Sequence, residues 1–541
     1  MRVHAERSSN RRQHLRLDAC ADIKGFPGQT RLRNGNGRTI LPAARSMIVH
    51  FNHSLQTAHT GIDGSRESFA DLTGRVAASL ATLLQQGEVD ARTLSTLRIH
   101  LDWIQYRANF RDPVIVRRAI DAQGRTLPLA EIAIDLRQVD AERLTSLLAD
   151  AQKALRGRPA GGRENRPLAL DDFRTLRDGL IWRFNRLFWQ RLADWEAASG
   201  RGFDAALPEG TSDVNHPRAV ADSVGDFWTL LRDLEAHGQL PPEIFVLEIG
   251  VGLGARARLW LDKFKALEEQ CGSTYYSRLK LLLGVYSPGA LDTALATMGP
   301  HAPIASVVPL DPVNPLQTLS FLRFKVLYVH LANVYNNLPF DELVRRDGRL
   351  YVVEARPYVS AATALHLAKE LGVTQAELPG LVQRLLLAGP DAFADRDRGM
   401  AFWRCVWSGL RLEERFRAID QGEDGHVPVG LTLEHLDDLL EAAPHDIRFQ
   451  ISRGAAESFA NTLPLLHPRG YLQAQDIFVP ALDEYRQGFK GPGKLDGSVV
   501  AWVNGALLRA VAARAGYDVH FAPLGYRSES KATVLYTTQR D

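Results

Sequence analysis

The stretch Glu248-Ile-Gly-Val-Gly-Leu-Gly254 decides the fold of this chain. Its first residue, Glu248, ends a short apolar run at 244–248, and a helical pattern follows the stretch at 256–270. Gly250, Gly252 and Gly254 allow a tight turn and let the backbone come close to a ligand. The helix that begins behind them has free N–H groups at its start. The stretch therefore predicts a strand, a ligand-binding turn and a helix in succession.

After this turn the chain alternates between strand-like and helix-like segments. Strands are predicted at 279–285, 306–310, 325–331 and 470–478, helices at 290–298 and 499–515, and a closing hairpin from 519–522 and 533–537. The strand at 279–285 is apolar except for Lys280, and strands of a parallel sheet covered on both faces are usually apolar. Such alternation predicts an α/β sheet with helices on both faces.

The rest of the chain predicts three further regions. Residues 1–46, rich in Arg, Asn and Gly, read as a disordered tail, or as an extension upstream of a true start at Met47. Residues 47–200 read as mainly helical, with a hairpin at 114–136, a helix at 140–156 and an aromatic helix at 170–198. Residues 355–465, between the fourth and fifth strands, are too long for a loop and read as a helical insertion subdomain. Its candidate helices are 361–371, 375–388, 398–418 and 432–442.

Composition excludes several functional classes. The 541 residues carry a formal net charge of +2, which does not favour nucleic acid as a partner. The sequence contains no run of about 18 apolar residues, so it predicts no membrane span. Cys20, Cys271 and Cys405 form no CxxC pair, so neither a zinc site nor a disulfide framework is expected. A reducing, cytoplasmic location is the simplest expectation.

The spacing of the glycines indicates the ligand. A dinucleotide site has the pattern G-x-G-x-x-G, whereas this chain has G-x-G-x-G with an acid two residues before the first glycine. That is the pattern of proteins that bind S-adenosylmethionine (AdoMet). Because AdoMet carries an ammonium group, an acid at the end of the strand has a cation to bind. Glu248, Gly250, Gly252 and Gly254 are therefore the first candidate cofactor-binding residues.

Four segments, in the same order, resemble the MidA-type methyltransferases, whose mitochondrial members assist complex I assembly. These segments begin at Thr211 (Thr-Ser-Asp-Val-Asn-His-Pro), Glu248, Ala332 (Ala-Asn-Val-Tyr-Asn-Asn-Leu-Pro) and Leu495 (Leu-Asp-Gly-Ser-Val-Val-Ala-Trp-Val). The resemblance covers about 205–541. It implies a class I methyltransferase fold, a Rossmann-like sheet of seven strands with an antiparallel last strand, in a domain formed by 205–354 and 466–541. It also implies AdoMet as cofactor and a protein as methyl acceptor, with an arginine nitrogen as the acceptor atom in one branch.

The chain departs from the family at two acidic positions. The family has an acid at the end of the second strand, where the ribose hydroxyls are held, but this chain has Val285 and Tyr286. Ser287 replaces only part of that function, because a carboxylate accepts two hydrogen bonds of about 1.5–3 kcal/mol each. The acid that follows Asn333 in the family is replaced by Val334.

Other candidate residues follow the third and fourth strands. Asp311 either accepts a hydrogen bond from the adenine amino group or opens a turn before Pro312. Asn333 is a candidate for both cofactor binding and catalysis, since its position is above the methyl-transfer point. Asn336 and Asn337 either bind the substrate or belong to an Asn-Asn-Leu-Pro turn.

The segment before the first strand offers the remaining candidates. Thr211 and Ser212 are predicted to contact the substrate or the cofactor's carboxylate. His216 is a candidate catalytic base, although a histidine before a proline is more often structural.

Two hypotheses of different classes remain open. In the first, the chain is an AdoMet-dependent methyltransferase that acts on a protein partner or on a small molecule. In the second, it is a non-catalytic binding or assembly protein built on a degenerate methyltransferase fold. The intact turn from Glu248 to Gly254 favours the first hypothesis, whereas Val285 and Val334 favour the second. A homodimer is compatible with both.

Overall fold

The computed structural model describes residues 2–7, 13–18, 47–51, 59–60, 66–67, 97–102, 110, 114–120, 126–135, 167–207, 212–346, 348–419, 431–441, 447–486, 491–526 and 531–540. The chain divides into two compact units. One contains 1–164 with 486–489, and the other contains 165–485 with 490–541. The division lies near residue 165, and not near 200 as the sequence predicted.

The first unit contains a sheet of six strands. In sheet order these are Arg2–Arg7, Gln13–Asp18, Met47–Phe51, Leu97–Asp102, Thr126–Asp135 and Val114–Ile120. The last two pair antiparallel, as the hairpin predicted at 114–136 requires. Two strands lie within the predicted disordered tail, where apolar and polar residues alternate with the period of a strand. Apart from Phe110, the described residues of 47–164 lie in strands, and most of the residues predicted to be helical, including 140–156, lie outside the described residues.

The second unit contains eleven strands of five or more residues within its described ranges. In chain order they are β1 Ile244–Ile249, β2 Leu279–Val285, β3 Ala305–Pro309, β4 Val326–Ala332, β5 Asp341–Arg346, β6 Arg349–Val359, β7 Arg411–Ala418, β8 Ile447–Ile451, β9 Leu466–Asp476, β10 Tyr517–Pro523 and β11 Thr533–Gln539.

Twelve α-helices are found within the same ranges. They are α1 Leu180–Gln190, α2 Leu192–Ser199, α3 Pro217–Ala236, α4 Ala255–Cys271, α5 Leu291–Met298, α6 Pro315–Leu319, α7 Ala361–Leu371, α8 Leu378–Ala388, α9 Arg396–Gly409, α10 Leu433–Glu441, α11 Arg453–Thr462 and α12 Gly505–Arg514.

Seven strands form the main sheet in the order β3-β2-β1-β4-β9-β11-β10. When these seven strands are renumbered 1 to 7 in chain order, their order across the sheet is 3-2-1-4-5-7-6. Of the seven, β11 alone runs antiparallel to its neighbours. The strands predicted for this sheet are all present. This is the class I methyltransferase sheet with an antiparallel last strand. Alternate apolar residues of β1 and β2 pack with those of α3 and α4 in one buried cluster.

The insertion between β4 and β9 is a mixed structure and not the helical subdomain that was predicted. β6 pairs antiparallel with β5 and β7, β5 pairs with β8, and Leu168–Ala169 and Arg174–Thr175 add two short strands. The helix predicted at 398–418 ends at Gly409, and the chain continues as β7. In β7, Arg415 and Arg417 each donate to the carboxylate of Glu354 on the adjacent strand, at 2.6 and 3.0 Å.

The aromatic helix predicted at 170–198 begins only at Leu180 and is broken at Arg191 into α1 and α2. Its aromatic residues pack on α9 of the insertion. The ring centroids of Trp195 and Trp403 are 4.9 Å apart, and those of Phe184 and Trp407 are 5.6 Å apart. This packing joins the helix to the second unit and explains why the division of the chain precedes it.

Candidate functional site

The three glycines after β1 all have a left-handed backbone but have different surroundings. Their φ angles are +75° at Gly250, +58° at Gly252 and +86° at Gly254. A Cβ atom on Gly250 would lie 2.5 Å from Cγ2 of Val334, and one on Gly254 would lie 2.8 Å from Cε of Met298. A Cβ atom on Gly252 would meet no atom of the described residues within 4 Å. The first and third glycines therefore pack against the protein, while the second faces open space.

The turn is held against the neighbouring strand by backbone hydrogen bonds. The N–H groups of Gly250 and Val251 both donate to the carbonyl of Gly284 on β2, at 2.9 and 3.2 Å. The N–H of Gly254 donates to the carbonyl of Val251, and α4 begins at Ala255. The open side of Gly252 is thus presented at the carboxyl end of β1, in front of a helix N-terminus.

Glu248 is buried in an ion pair. Its carboxylate accepts a hydrogen bond of 3.0 Å from Nη1 of Arg256, in the first turn of α4. Nη2 of Arg256 also lies 3.4 Å from Oγ of Ser223 and 3.3 Å from the hydroxyl of Tyr328. Burial raises the pKa of Glu248, and Arg256 opposes that change. The carboxylate that the sequence assigns to the cofactor is therefore already paired with a cation, and its predicted contact with the cofactor stays a prediction.

His330, on β4 directly opposite Glu248, was missed in the sequence. The side chain is only 1% exposed, and no described residue forms a hydrogen bond of good geometry with either ring nitrogen, although the side chain of Gln475 interacts with the ring. Its Nδ1 lies 3.9 Å from the Glu248 carboxylate. Burial and the nearby charge of Arg256 hold the pKa of His330 well below its usual value. The sequence does contain a signal for this residue, namely a histidine within the apolar strand predicted at 325–331.

Ser212 and Asn333 lie together although 121 residues separate them. Nδ2 of Asn333 donates to Oγ of Ser212 at 3.0 Å. Asn333 follows β4 with a φ of +52°, and its N–H donates to the carbonyl of Gln475 on β9. A left-handed asparagine is uncommon and is held here by contacts on both sides. Thr211 lies outside the described residues.

Asn336 and Asn337 belong to a turn that is closed by its own side chains. Nδ2 of Asn337 donates to the carbonyl of Asn333 at 2.9 Å and to Oδ1 of Asn336 at 2.5 Å. The carbonyl of Asn337 accepts a 2.8 Å hydrogen bond from Nδ2 of Asn185 on α1. These contacts agree with the turn interpretation, and their predicted contact with substrate stays a prediction.

Asp476, at the end of β9, is a second residue that was missed. Its carboxylate accepts the N–H of Asn336 at 3.1 Å and that of Ile477 at 2.8 Å, and it is only 1% exposed. Burial raises its pKa to about 7, although the backbone N–H groups oppose this. Asp476 thus anchors the turn that follows β4.

At the end of β2 no carboxylate replaces the missing acid. Val285 is buried, and the hydroxyl of Ser287 donates to the carbonyl of Gln190 at the end of α1, at 3.2 Å. Burial raises the pKa of Tyr286, and the charges of Arg186 and Asp311 act on it in opposite directions. Tyr286, half-buried at this end of β2, is therefore influenced by one positively and one negatively charged side chain.

Asp311 and His216 have structural partners. Oδ1 of Asp311 accepts the N–H of Val313 at 2.9 Å, which is the turn interpretation of this residue. Nδ1 of His216 accepts the N–H of Arg218 at 3.3 Å and caps α3. The ring of His216 stacks on Tyr526, with centroids 5.6 Å apart. No contact joins His216 to Asn333 within the described ranges, so its role as a base stays a prediction.

The segment near the C-terminus that resembles the family motif packs on α1 and α2. Asp496 has a φ of +52° and accepts a 2.9 Å hydrogen bond from Nε1 of Trp195. A Cβ atom on Gly497 would lie 2.2 Å from the ring of Phe188. The motif therefore marks a packing contact beside the candidate site.

The described ranges contain no group of three His, Cys, Asp or Glu side chains placed to hold a metal ion. None of their helices is both long enough and apolar enough to cross a membrane.

No family model matches the chain, and no curated protein matches it. Among solved structures, one match is a COG1565 superfamily member from Burkholderia thailandensis bound to S-adenosylhomocysteine, with a TM-score of 0.40 and 13% identity. This match covers 68% of the present chain and 88% of that one. A second COG1565 superfamily protein from the same organism has a TM-score of 0.39 and 13% identity, over 70% and 95% of the two chains.

The mitomycin 7-O-methyltransferase MmcR matches with a TM-score of 0.25 and 11% identity, over 65% of the present chain and 68% of its own. Because every one of these TM-scores is below 0.5, the likenesses carry no weight for the roles of individual residues.

Proposed function

We propose that this chain is an AdoMet-dependent methyltransferase whose cofactor binds over the carboxyl ends of β1 and β4. One observation carries the proposal, namely the open face of Gly252 between two glycines that are packed against the protein. In open α/β sheets, ligands bind outside the carboxyl ends of the strands where the strand order reverses. In the order β3-β2-β1-β4, that reversal falls at β1 and β4.

The residues present fit AdoMet in part. The glycine turn leaves room for the ligand to approach the backbone, and Ser212 and Asn333 offer a hydroxyl and an amide at the same edge. At the end of β2, Tyr286 offers one hydroxyl where a carboxylate would accept two hydrogen bonds.

When bound, AdoMet supplies a methyl group on a positively charged sulfur. The contribution of the chain is to orient the acceptor in line with that group, and alignment of this kind accounts for a large part of many enzymatic rates. Asn333 is the residue we expect to align the acceptor, since its left-handed backbone and its contact with Ser212 restrict its side chain.

The acceptor is proposed to be a nitrogen atom of a protein partner, with an arginine side chain as the first candidate. This part of the proposal rests on the resemblance to the MidA-type family. A small-molecule acceptor is the alternative within the same reaction class.

A non-catalytic assembly protein is the second candidate function. The observation that favours it is the combination of a balanced Glu248–Arg256 ion pair with a tyrosine in place of the ribose-binding acid. Both features weaken the attraction of the site for AdoMet and leave the fold intact.

Calorimetric titration of the full chain with AdoMet and with its product S-adenosylhomocysteine tests the proposal. The test variant is Gly252→Arg, which fills the open face. The matched control is Gly272→Arg at the other end of α4, where φ is +67° and a Cβ atom would also meet no atom of the described residues within 4 Å. Ligand at 100 times its Kd should raise the free energy of unfolding by about 2.7 kcal/mol.

We expect saturable micromolar binding by the native chain and by Gly272→Arg, and no binding by Gly252→Arg. Binding that survives in Gly252→Arg would show that the ligand lies elsewhere. If the native chain binds neither ligand up to millimolar concentration, the methyltransferase proposal fails and the assembly protein becomes the better candidate.

A further inference from the structure

Four of the buried polar atoms that have no partner of good geometry among the described residues belong to side chains of β4, β9 and α4. They are both ring nitrogens of His330, Nε of Arg256 and Oε1 of Gln475. The three side chains are 1%, 6% and 3% exposed. Buried polar atoms without partners are rare in folded proteins, and each one needs an explanation such as a bound water or ligand.

His330 and Gln475 lie on adjacent strands of the sheet, and Arg256 on α4 interacts with His330 electrostatically. His330 lies opposite Glu248 on one side, and the register places Gln473 opposite it on β9, two residues before Gln475. The positive charge of Arg256 lowers the pKa of His330, and the side chain of Gln475 raises it. A direct bond between His330 and Gln475 would still leave one ring nitrogen and Nε of Arg256 unpaired.

The unpaired atoms include donors and acceptors. Nε of Arg256 and one ring nitrogen of His330 donate, whereas the other ring nitrogen of His330 and Oε1 of Gln475 accept. A zwitterionic α-amino-acid group complements this set, because its carboxylate accepts from the donors and its ammonium donates to the acceptors. Since Glu248 is already paired with Arg256, the ammonium needs these neutral acceptors.

We propose that His330, Arg256 and Gln475 form a subsite for the amino-acid end of the ligand that binds at the glycine turn. The inference rests on the proposed function and adds to it the residues that distinguish an amino-acid-bearing nucleoside from one without that group. His330 is the centre of the subsite, because it contributes both a donor and an acceptor.

The test compares two ligands that differ only at this end. S-Adenosylhomocysteine carries the amino-acid group, and 5′-methylthioadenosine lacks it. Their Kd values are measured by calorimetry on the full native chain, on His330→Phe and on Gln475→Leu. The matched control is His301→Phe, since His301 is 2% exposed but has both ring nitrogens bonded, to Tyr276 and Asp262.

We expect the native chain to prefer S-adenosylhomocysteine over 5′-methylthioadenosine by about tenfold or more, as loss of a hydrogen bond to a charged group implies. His330→Phe and Gln475→Leu should reduce this preference and leave the Kd of 5′-methylthioadenosine unchanged. His301→Phe should lower the melting temperature and keep the preference.

The two levels of the proposal fail differently. If the native chain binds neither compound, the proposed function fails. If it binds both equally, or if His330→Phe keeps the full preference, the subsite is wrong while the AdoMet site stands. A thermal unfolding scan of ligand-free His330→Phe adds a second readout. Replacing a side chain without a hydrogen bond of good geometry by an apolar ring should be nearly neutral, and a large loss of stability would indicate a purely structural histidine.

Discussion

Gly250, Gly252 and Gly254 share a left-handed backbone, but only two of them have close neighbours. The need for glycine therefore has two separate causes. At all three positions a side chain strains the backbone, and at Gly250 and Gly254 it also meets packed atoms. At Gly252 the remaining space is available to a ligand.

Alanine substitutions separate these two causes. Gly252→Ala should lower the free energy of unfolding by about 1–2 kcal/mol, the strain of a left-handed residue. Gly254→Ala should lower it by about 2–5 kcal/mol, because overpacking against Met298 adds to that strain. Urea unfolding of both variants measures the difference. Equal losses would mean that the contact with Met298 does not restrict the turn.

A second effect at this scale is the pH dependence contributed by Asp476. Its pKa is raised from 3.8 to about 7, so the folded chain keeps a proton that the unfolded chain has already released. Stability from this group is present at low pH and is lost as the pH rises from about 4 to about 7.

Urea unfolding at pH 5 and pH 8 checks this prediction. The contribution of Asp476 to the free energy of unfolding of the native chain should be roughly 1–4 kcal/mol lower at pH 8 than at pH 5. In Asp476→Asn the change between the two pH values should become less negative by that amount. The exposed Asp311→Asn serves as the control and should behave as the native chain does. An identical pH dependence in the native chain and Asp476→Asn would contradict the raised pKa.

At the scale of elements, α1 connects two segments that are far apart in sequence. Asn185 is buried, donates to the carbonyl of Asn337 and accepts the N–H of Val499 at 2.8 Å. The turn after β4 and the strand at Ser498–Val500 are therefore joined through one side chain. This connection positions the turn next to Asn333.

Asn185→Ala should lower the free energy of unfolding by about 2–4 kcal/mol, because it leaves two buried backbone groups unpaired. Gln190→Ala, an exposed position on the same helix, should change it by less than about 0.5 kcal/mol. Chemical denaturation of the two variants provides the comparison. A small loss in Asn185→Ala would mean that other contacts hold the turn.

The insertion illustrates a limit of prediction at this scale. β7 is rich in Arg and Glu, with the apolar residues Leu412 and Phe416 four positions apart, and such a run also suits an exposed helix. The charges are stabilised because Arg415 and Arg417 meet Glu354 on β6, 61 and 63 residues away. No local pattern contains that partner, so the strand was read as the end of a helix.

At the scale of the whole molecule, the division near residue 165 assigns α1 and α2 to the unit that holds the main sheet. Trp403 is fully buried, and it packs against Trp195 of α2. The helices before residue 205 are thus part of the core of this unit and not of an N-terminal domain.

Two fragments test this division. A fragment of residues 165–541 should unfold in one cooperative urea transition, because it keeps the aromatic contacts of α1 and α2. A fragment of residues 205–541 should lose that transition, because Trp403 and Trp407 would be exposed. Near-ultraviolet circular dichroism gives an independent readout of aromatic packing. Native-like unfolding of the shorter fragment would restore the boundary near 205.

The sequence by itself determined the features that depend on neighbours along the chain. These are the left-handed glycine turn between a strand and a helix, the alternation of strands and helices in the main sheet, and the closing antiparallel hairpin. Backbone conformation and hydrophobic periodicity are local properties, so their pattern can be read from consecutive residues.

Only the tertiary structure decided how the candidate site is charged and bonded. Arg256 balances Glu248, His330 lies opposite it without a hydrogen bond of good geometry, and Ser212 reaches Asn333 across 121 residues. The ionisation and bonding of a buried side chain depend on the atoms that surround it in space. Those atoms come from separate strands and helices, and only their packing in the fold brings them together.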